Sequence, residues 1–95
     1  MQIVETGVPI NRTTTGIVSK AAGSLLGFYV NNKNLGATLV IRDGTTASGT
    51  AISGTITPLI GWHEFKAYCP NGCHITIAVD SMDITFFFAA GGGQA

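Results

Sequence analysis

Apolar and polar residues alternate along most of this chain with a period close to two, and Gly, Asn, Asp or Pro interrupts the alternation roughly every 8–12 residues. Neighbouring side chains of an extended backbone point to opposite faces, so this pattern predicts half-buried strands. In Ser24 to Val30, Leu26, Phe28 and Val30 share one face, and Leu25, Gly27 and Tyr29 share the other. Ala37, Leu39 and Ile41 alternate with Thr38, Val40 and Arg42. Thr50 to Thr57 sets Ile52, Gly54 and Ile56 against Ala51, Ser53, Thr55 and Thr57, until Pro58 stops it. Trp62 to Cys69 places Trp62, Glu64, Lys66 and Tyr68 opposite His63, Phe65, Ala67 and Cys69, with the charges directed outward. Cys73, Ile75, Ile77 and Val79 alternate with His74, Thr76, Ala78 and Asp80; Met82, Ile84, Phe86 and Phe88 alternate with Asp83, Thr85 and Phe87.

Turn chemistry separates these runs. Asn31 to Asn34 predicts a turn because Asn tolerates positive φ and bonds its own backbone. Asp43-Gly44 ends a strand, Thr45 to Gly49 is a small polar loop, Pro70-Asn71-Gly72 is a hairpin turn, and Asp80-Ser81 is a tight connection. No helical period and no long internal repeat is present. The expected fold is all-β: a single antiparallel β-sandwich, jelly-roll or Ig-like, of about seven strands over residues 16–90. Its expected core is Leu26, Phe28, Val30, Leu39, Ile41, Ile52, Ile56, Phe65, Ile75, Ile77, Val79, Ile84, Phe86 and Phe88.

Residues 1–15 are irregular, with Pro9 and the run Thr13-Thr14-Thr15, yet they carry Ile3, Val4, Val8 and Ile10. An unattached tail has no use for such side chains, so this stretch reads as an extended N-terminal arm that docks on its own subunit or a neighbour. An edge strand of the same domain is the other reading. Residues 91–95, Gly-Gly-Gly-Gln-Ala, form a flexible tail.

Ninety-five residues suffice for one small core, and five basic residues balance five acidic ones. No net field attracts nucleic acid or anionic lipid, and neither partner is expected. The charged fraction, 11%, is less than half of the ~25% usual in soluble domains, and mean hydropathy is +0.37. A monomer of this composition exposes more apolar surface than solubility favours, so a homo-oligomer or shell subunit is expected. The opening MQIVETGVPINR lacks the pattern of a secretory signal, and no apolar run approaches a membrane span, so a soluble product is expected.

Two His, five carboxylates and two Cys offer little for catalysis. No Ser-His-Asp or Cys-His arrangement suggests itself, and no pair of acids shares a plausible cleft, so neither enzyme activity nor a cofactor is expected. Arg42 to Thr50 has the small residues of a phosphate loop but lacks its Gly-Lys-Ser/Thr ending. Asn11-Arg12-Thr13 matches a glycosylation acceptor too short to carry weight. Cys69 and Cys73 flank the hairpin turn; facing each other across two strands, they could form a disulfide or remain buried thiols. A zinc site would need Cys69, Cys73, His74 and His63, but Cys73 and His74 point to opposite faces. His74 is expected to be solvated, and His63 to be hydrogen-bonded on the inner face. Trp62, Tyr68 and Tyr29 on an outer face suit a subunit contact or, alternatively, sugar stacking, and Phe87 points outward with them.

The segment GFYVNNKNLGATLVIRDGTTASGTAISGTIT, followed by GWHEF, YCPNGCHITI and DITFFFA, resembles small β-sandwich virion structural proteins of tailed bacteriophages. These include capsid decoration and cement proteins. The resemblance implies a non-enzymatic virion protein, often a homotrimer, that stabilises the head through contacts with the major capsid protein. A tail, fibre or connector component is the nearest relative of that reading, and a carbohydrate-binding module is the alternative from another class. No functional residue transfers from the resemblance.

Overall fold

The structure, a computed structural model, describes residues 7–90 and is all-β. Its strands are β1 (Val8–Arg12), β2 (Gly16–Ser19), β3 (Gly23–Lys33), β4 (Thr38–Asp43), β5 (Thr50–Ala51), β6 (Gly61–Cys69), β7 (Cys73–Ala78) and β8 (Met82–Ala90). They form two antiparallel four-stranded sheets: sheet 1 in the order β1-β8-β3-β6, and sheet 2 in the order β2-β7-β4-β5. Alternation makes each sheet apolar on one face, and both apolar faces feed a single cluster in a sandwich-like arrangement. Sheet 1 supplies Leu25, Phe28, Val30, Met82, Ile84, Phe86 and Phe88; sheet 2 supplies Val18, Leu39, Ile41 and Ile75.

Residues 8–12 follow the edge-strand reading of the N-terminal stretch. They form edge strand β1, which pairs with β8 of the same chain from Val8 opposite Phe88 to Arg12 opposite Ile84. Ile10 packs against the core, Val8 is exposed, and Pro9 is tolerated because an edge strand has a side with no ladder to complete. Ile3 and Val4 lie outside the described residues, as does the 91–95 tail.

Leu26 does not reach the core, whereas Leu25 is fully buried. The register shifts between Leu25 and Gly27 against both β6 and β8, and this irregularity inverts the phase of the strand upstream of Phe28. Val79 is 81% exposed rather than buried, because β7 ends at Ala78 and Val79 turns with φ 73°. Ile52, Ile56, Phe65 and Ile77 are only partly buried against the core.

The Thr50–Thr57 run holds a strand only at its first two residues. Beyond Ala51 the chain bends away, touching β4 again where Ile52 and Ser53 donate to the Ile41 carbonyl and where Ile56 bridges Leu39. Asn31 to Lys33 remain in β3, and the turn falls at Leu35-Gly36, where Gly36 has φ 86°.

Pro70 to Gly72 is not a hairpin turn within a sheet. β6 belongs to sheet 1 and β7 to sheet 2, so these residues form a corner by which the chain changes sheets.

Candidate interaction surface

Gly27 is the floor on which the outward face of sheet 1 is organised. It sits between Phe87 of β8 and Glu64 of β6, and it has no side chain to fill that space. The Trp62 indole occupies it instead: a Cβ at position 27 would stand 2.5 Å from the ring. Trp62 then meets Phe87 edge-on, with ring centroids 5.6 Å apart. Tyr29 lies beside Trp62 in register, and Leu26, turned outward by the irregularity in β3, joins them.

These residues line an open cleft of about 720 Å³, together with Gly7, Asn31, Glu64, Lys66 and Thr85. Trp62 remains 51% exposed and Tyr29 44%. Polar groups edge the aromatic floor. Asn31 donates to Thr85 Oγ1 at 2.9 Å and to Asp83 Oδ1 at 3.3 Å, and Asn11 donates to the same carboxylate oxygen at 2.7 Å. Asp83 thus ties β1, β3 and β8 together at this edge. Glu64 and Lys66 form an exposed ion pair at 3.4 Å.

The sequence-predicted residues Trp62, Tyr29 and Phe87 are therefore brought together. Tyr68 shares their face of β6 and is exposed, but does not line the cleft. Val8 is exposed on the opposite edge strand, and Ile10 is turned into the core side. Gly27 was not singled out by sequence, and Leu26 was assigned to the core rather than to this face. A glycine beside a predicted outward Tyr29, in register with a Trp strand, is the signal that could have found the first of them.

Cys69 and Cys73 are both fully buried and lie at the corner where the chain changes sheets. Each is a free thiol. They hydrogen-bond to each other, and that bond lowers the Cys69 pKa, against the opposing effects of burial and Asp43. The same bond, burial and the neighbouring Cys69 raise that of Cys73.

His74 is 6% exposed, not solvated, even though it faces away from Cys73. It is packed between Ile17 of β2 and Arg42 of β4, and its Nδ1 has no hydrogen-bond partner. Burial, then the Arg42 charge, push its pKa below the ordinary value. His63 stacks on Phe28 with centroids 5.2 Å apart, and its Nε2 lies 2.7 Å from the Leu59 carbonyl oxygen. Among the described residues, no cluster of three or more His, Cys, Asp or Glu could hold a metal ion.

Asp43 and Asp80 bond turn backbone: Asp43 accepts the Asn71 N–H, and Asp80 accepts the Ser81 N–H as well as the Asn34 amide. Comparison with protein-family models, with curated proteins and with solved structures gives no match.

Proposed function

We propose that this chain is a non-enzymatic structural subunit of a tailed-phage virion, of the capsid decoration or cement type. It attaches to the major capsid protein or to other virion proteins and stabilises the head by adding contact area. The observation that carries the reading is the outward face of sheet 1, where Trp62, Tyr29, Phe87 and Leu26 are displayed around an open cleft rather than folded away. Aromatic side chains with a polar rim and little net charge are the makings of a protein contact.

The strand orders β1-β8-β3-β6 and β2-β7-β4-β5 favour a jelly roll over an Ig-like sandwich. Two interlocked Greek keys of eight strands give this order, and jelly rolls recur in viral shells. That likeness is one of fold, so the functional argument rests on the surface. Particles assembled with and without this chain test the proposal: added resistance to heat or chelators is expected, and equal resistance overturns a cement role.

The cleft also favours a second reading, in which it binds a sugar. An aromatic floor under Asn31, Thr85 and Glu64 suits stacking against a pyranose ring with hydroxyls held at the rim. A glycan array decides it. Binding of a defined glycan that Trp62→Ala abolishes supports this reading; an empty array removes it.

A further inference from the structure

Strand order leaves β6 at the edge of sheet 1, and no strand pairs with its outer side among the described residues. Such an edge is a template for another strand, and proteins usually blunt it with proline, shortness or inward-pointing charge. β6 has none of these three; its one irregularity sets two residues, Phe65 and Lys66, against Leu26 of β3, and its exposed positions keep alternating through it. It runs for nine residues without proline, and its charges, Glu64 and Lys66, lie on the outward face with side chains 65% and 56% exposed.

We propose that β6 pairs antiparallel with β6 of a second copy of this chain, about a two-fold axis through Phe65. Side chains on the outward face follow the order Trp62, Glu64, Lys66, Tyr68. Reversed and laid against itself about Phe65, this stripe is self-complementary. Glu64 faces Lys66 of the second copy, Lys66 faces its Glu64, and Trp62 and Tyr68 face each other at both ends.

The charge order selects the register. Moving the axis to residue 64 places Glu64 against Glu64, and moving it to residue 66 places Lys66 against Lys66. Like charges directly opposite on a sheet repel, whereas opposite charges and aromatic pairs attract. Sliding by an odd step instead sets the outward face of one copy against the inward face of the other. The shift opposite Leu25 and Gly27 does not disturb the stripe, because the exposed positions of β6 keep alternating through it.

The pairing joins the two copies of sheet 1 into one eight-stranded sheet whose clefts open on the same side. It goes beyond the virion proposal and needs no capsid. It also replaces the threefold assembly implied by the resemblance with a two-fold one.

Charge reversal with native mass measurement and sedimentation tests it at micromolar protein. The wild-type chain is expected at twice its 9.8 kDa monomer mass. Glu64→Lys and Lys66→Glu each set like charges opposite across the axis and are expected to weaken association at least tenfold, with the far-ultraviolet spectrum unchanged. The double variant E64K/K66E restores opposite charges in the same register and is expected to recover the dimer.

A wild-type monomer or trimer, single variants that associate like wild type, or a double variant that stays monomeric overturns the pairing. A monomer that still protects particles from heat overturns this inference alone. A dimer that leaves them unprotected overturns the cement role alone.

Discussion

Phe86 and Phe87 are neighbours in β8 with opposite fates, and truncating each to Ala separates packing from display. Phe86 has no exposed surface; it sits opposite Ile10 of β1 and Phe28 of β3, with its ring 5.7 Å from that of Phe28. Its removal loses the transfer energy of a buried ring and leaves a cavity that paired strands on both sides keep from closing. The cost expected is about 3–5 kcal/mol, a large share of the ~5–15 kcal/mol that holds a domain together. In a chain of this size that lowers the melting temperature by roughly 15–30 °C. Phe87 is half-buried on the outward face and loses chiefly its edge contact with Trp62, worth about 0.5–1.5 kcal/mol. Urea titration by circular dichroism gives both values from the shift in midpoint at unchanged slope. Equal losses from the two variants, or a loss below about 1 kcal/mol for Phe86→Ala, would refute the assignment of faces in β8 and the core built on it.

In Gly27→Ala the new methyl collides with the indole of Trp62 and lies 2.7 Å from the His63 carbonyl oxygen, so Trp62 is expected to leave the cleft floor. A red-shifted tryptophan emission with about 1–3 kcal/mol lost would show it, and an unchanged spectrum would contradict it. Val79→Gly relieves a β-branched residue held at φ 73° on the surface and is expected to add about 1 kcal/mol of stability, read as a higher melting temperature. His74 titrates below its usual value of 6.5 when folded, so the unfolded chain takes up the proton first. Its contribution to stability is full above about pH 6.5 and is lost as pH falls from there through the folded pKa. Replacement by Leu should flatten the fall in stability as pH drops below about 6.5, and an unchanged slope there argues against the assignment. Deleting residues 1–12 strips β1 from β8 and is expected to abolish cooperative unfolding, whereas a stable truncated domain would mean that the strand is dispensable.

Strands β4, β6, β7 and β8 were legible because strict alternation over six to nine residues leaves one phase for burying apolar side chains. The same rule misplaced Leu26, since a single extra residue reverses the phase and leaves no mark in composition. Val79 was drawn into the core by continuing the β7 alternation past its turn. Pro9 was a usable sign of an edge strand, but five residues with a single core-facing apolar side chain, Ile10, make too short a pattern to assert it. Pro70-Asn71-Gly72 reads equally as a hairpin turn and as a corner between sheets, because the choice depends on distant strands. His74 is covered by residues from β2 and β4 that local pattern does not reveal. Of the candidate surface, Trp62, Tyr29 and Phe87 followed from phase alone, whereas the part played by Gly27 required knowing what lies across from it.

The place of β8 in sheet 1 constrains how the chain acquires its fold. This strand is the final one of the described chain, yet it lies between β1 and β3, two of the first to leave the ribosome. Until it arrives, β1 has no partner and β3 has one edge bare, so sheet 1 is completed only after synthesis has passed residue 90. Contacts so distant in sequence place folding in the slow range for small domains, of order milliseconds to seconds. During that interval the segment Ile84 to Phe88, rich in aromatic and β-branched residues, is uncovered and prone to pair with copies of itself. Yield at high expression is therefore governed by the race between insertion of β8 and its capture by another nascent chain, and slower synthesis at lower temperature should favour insertion.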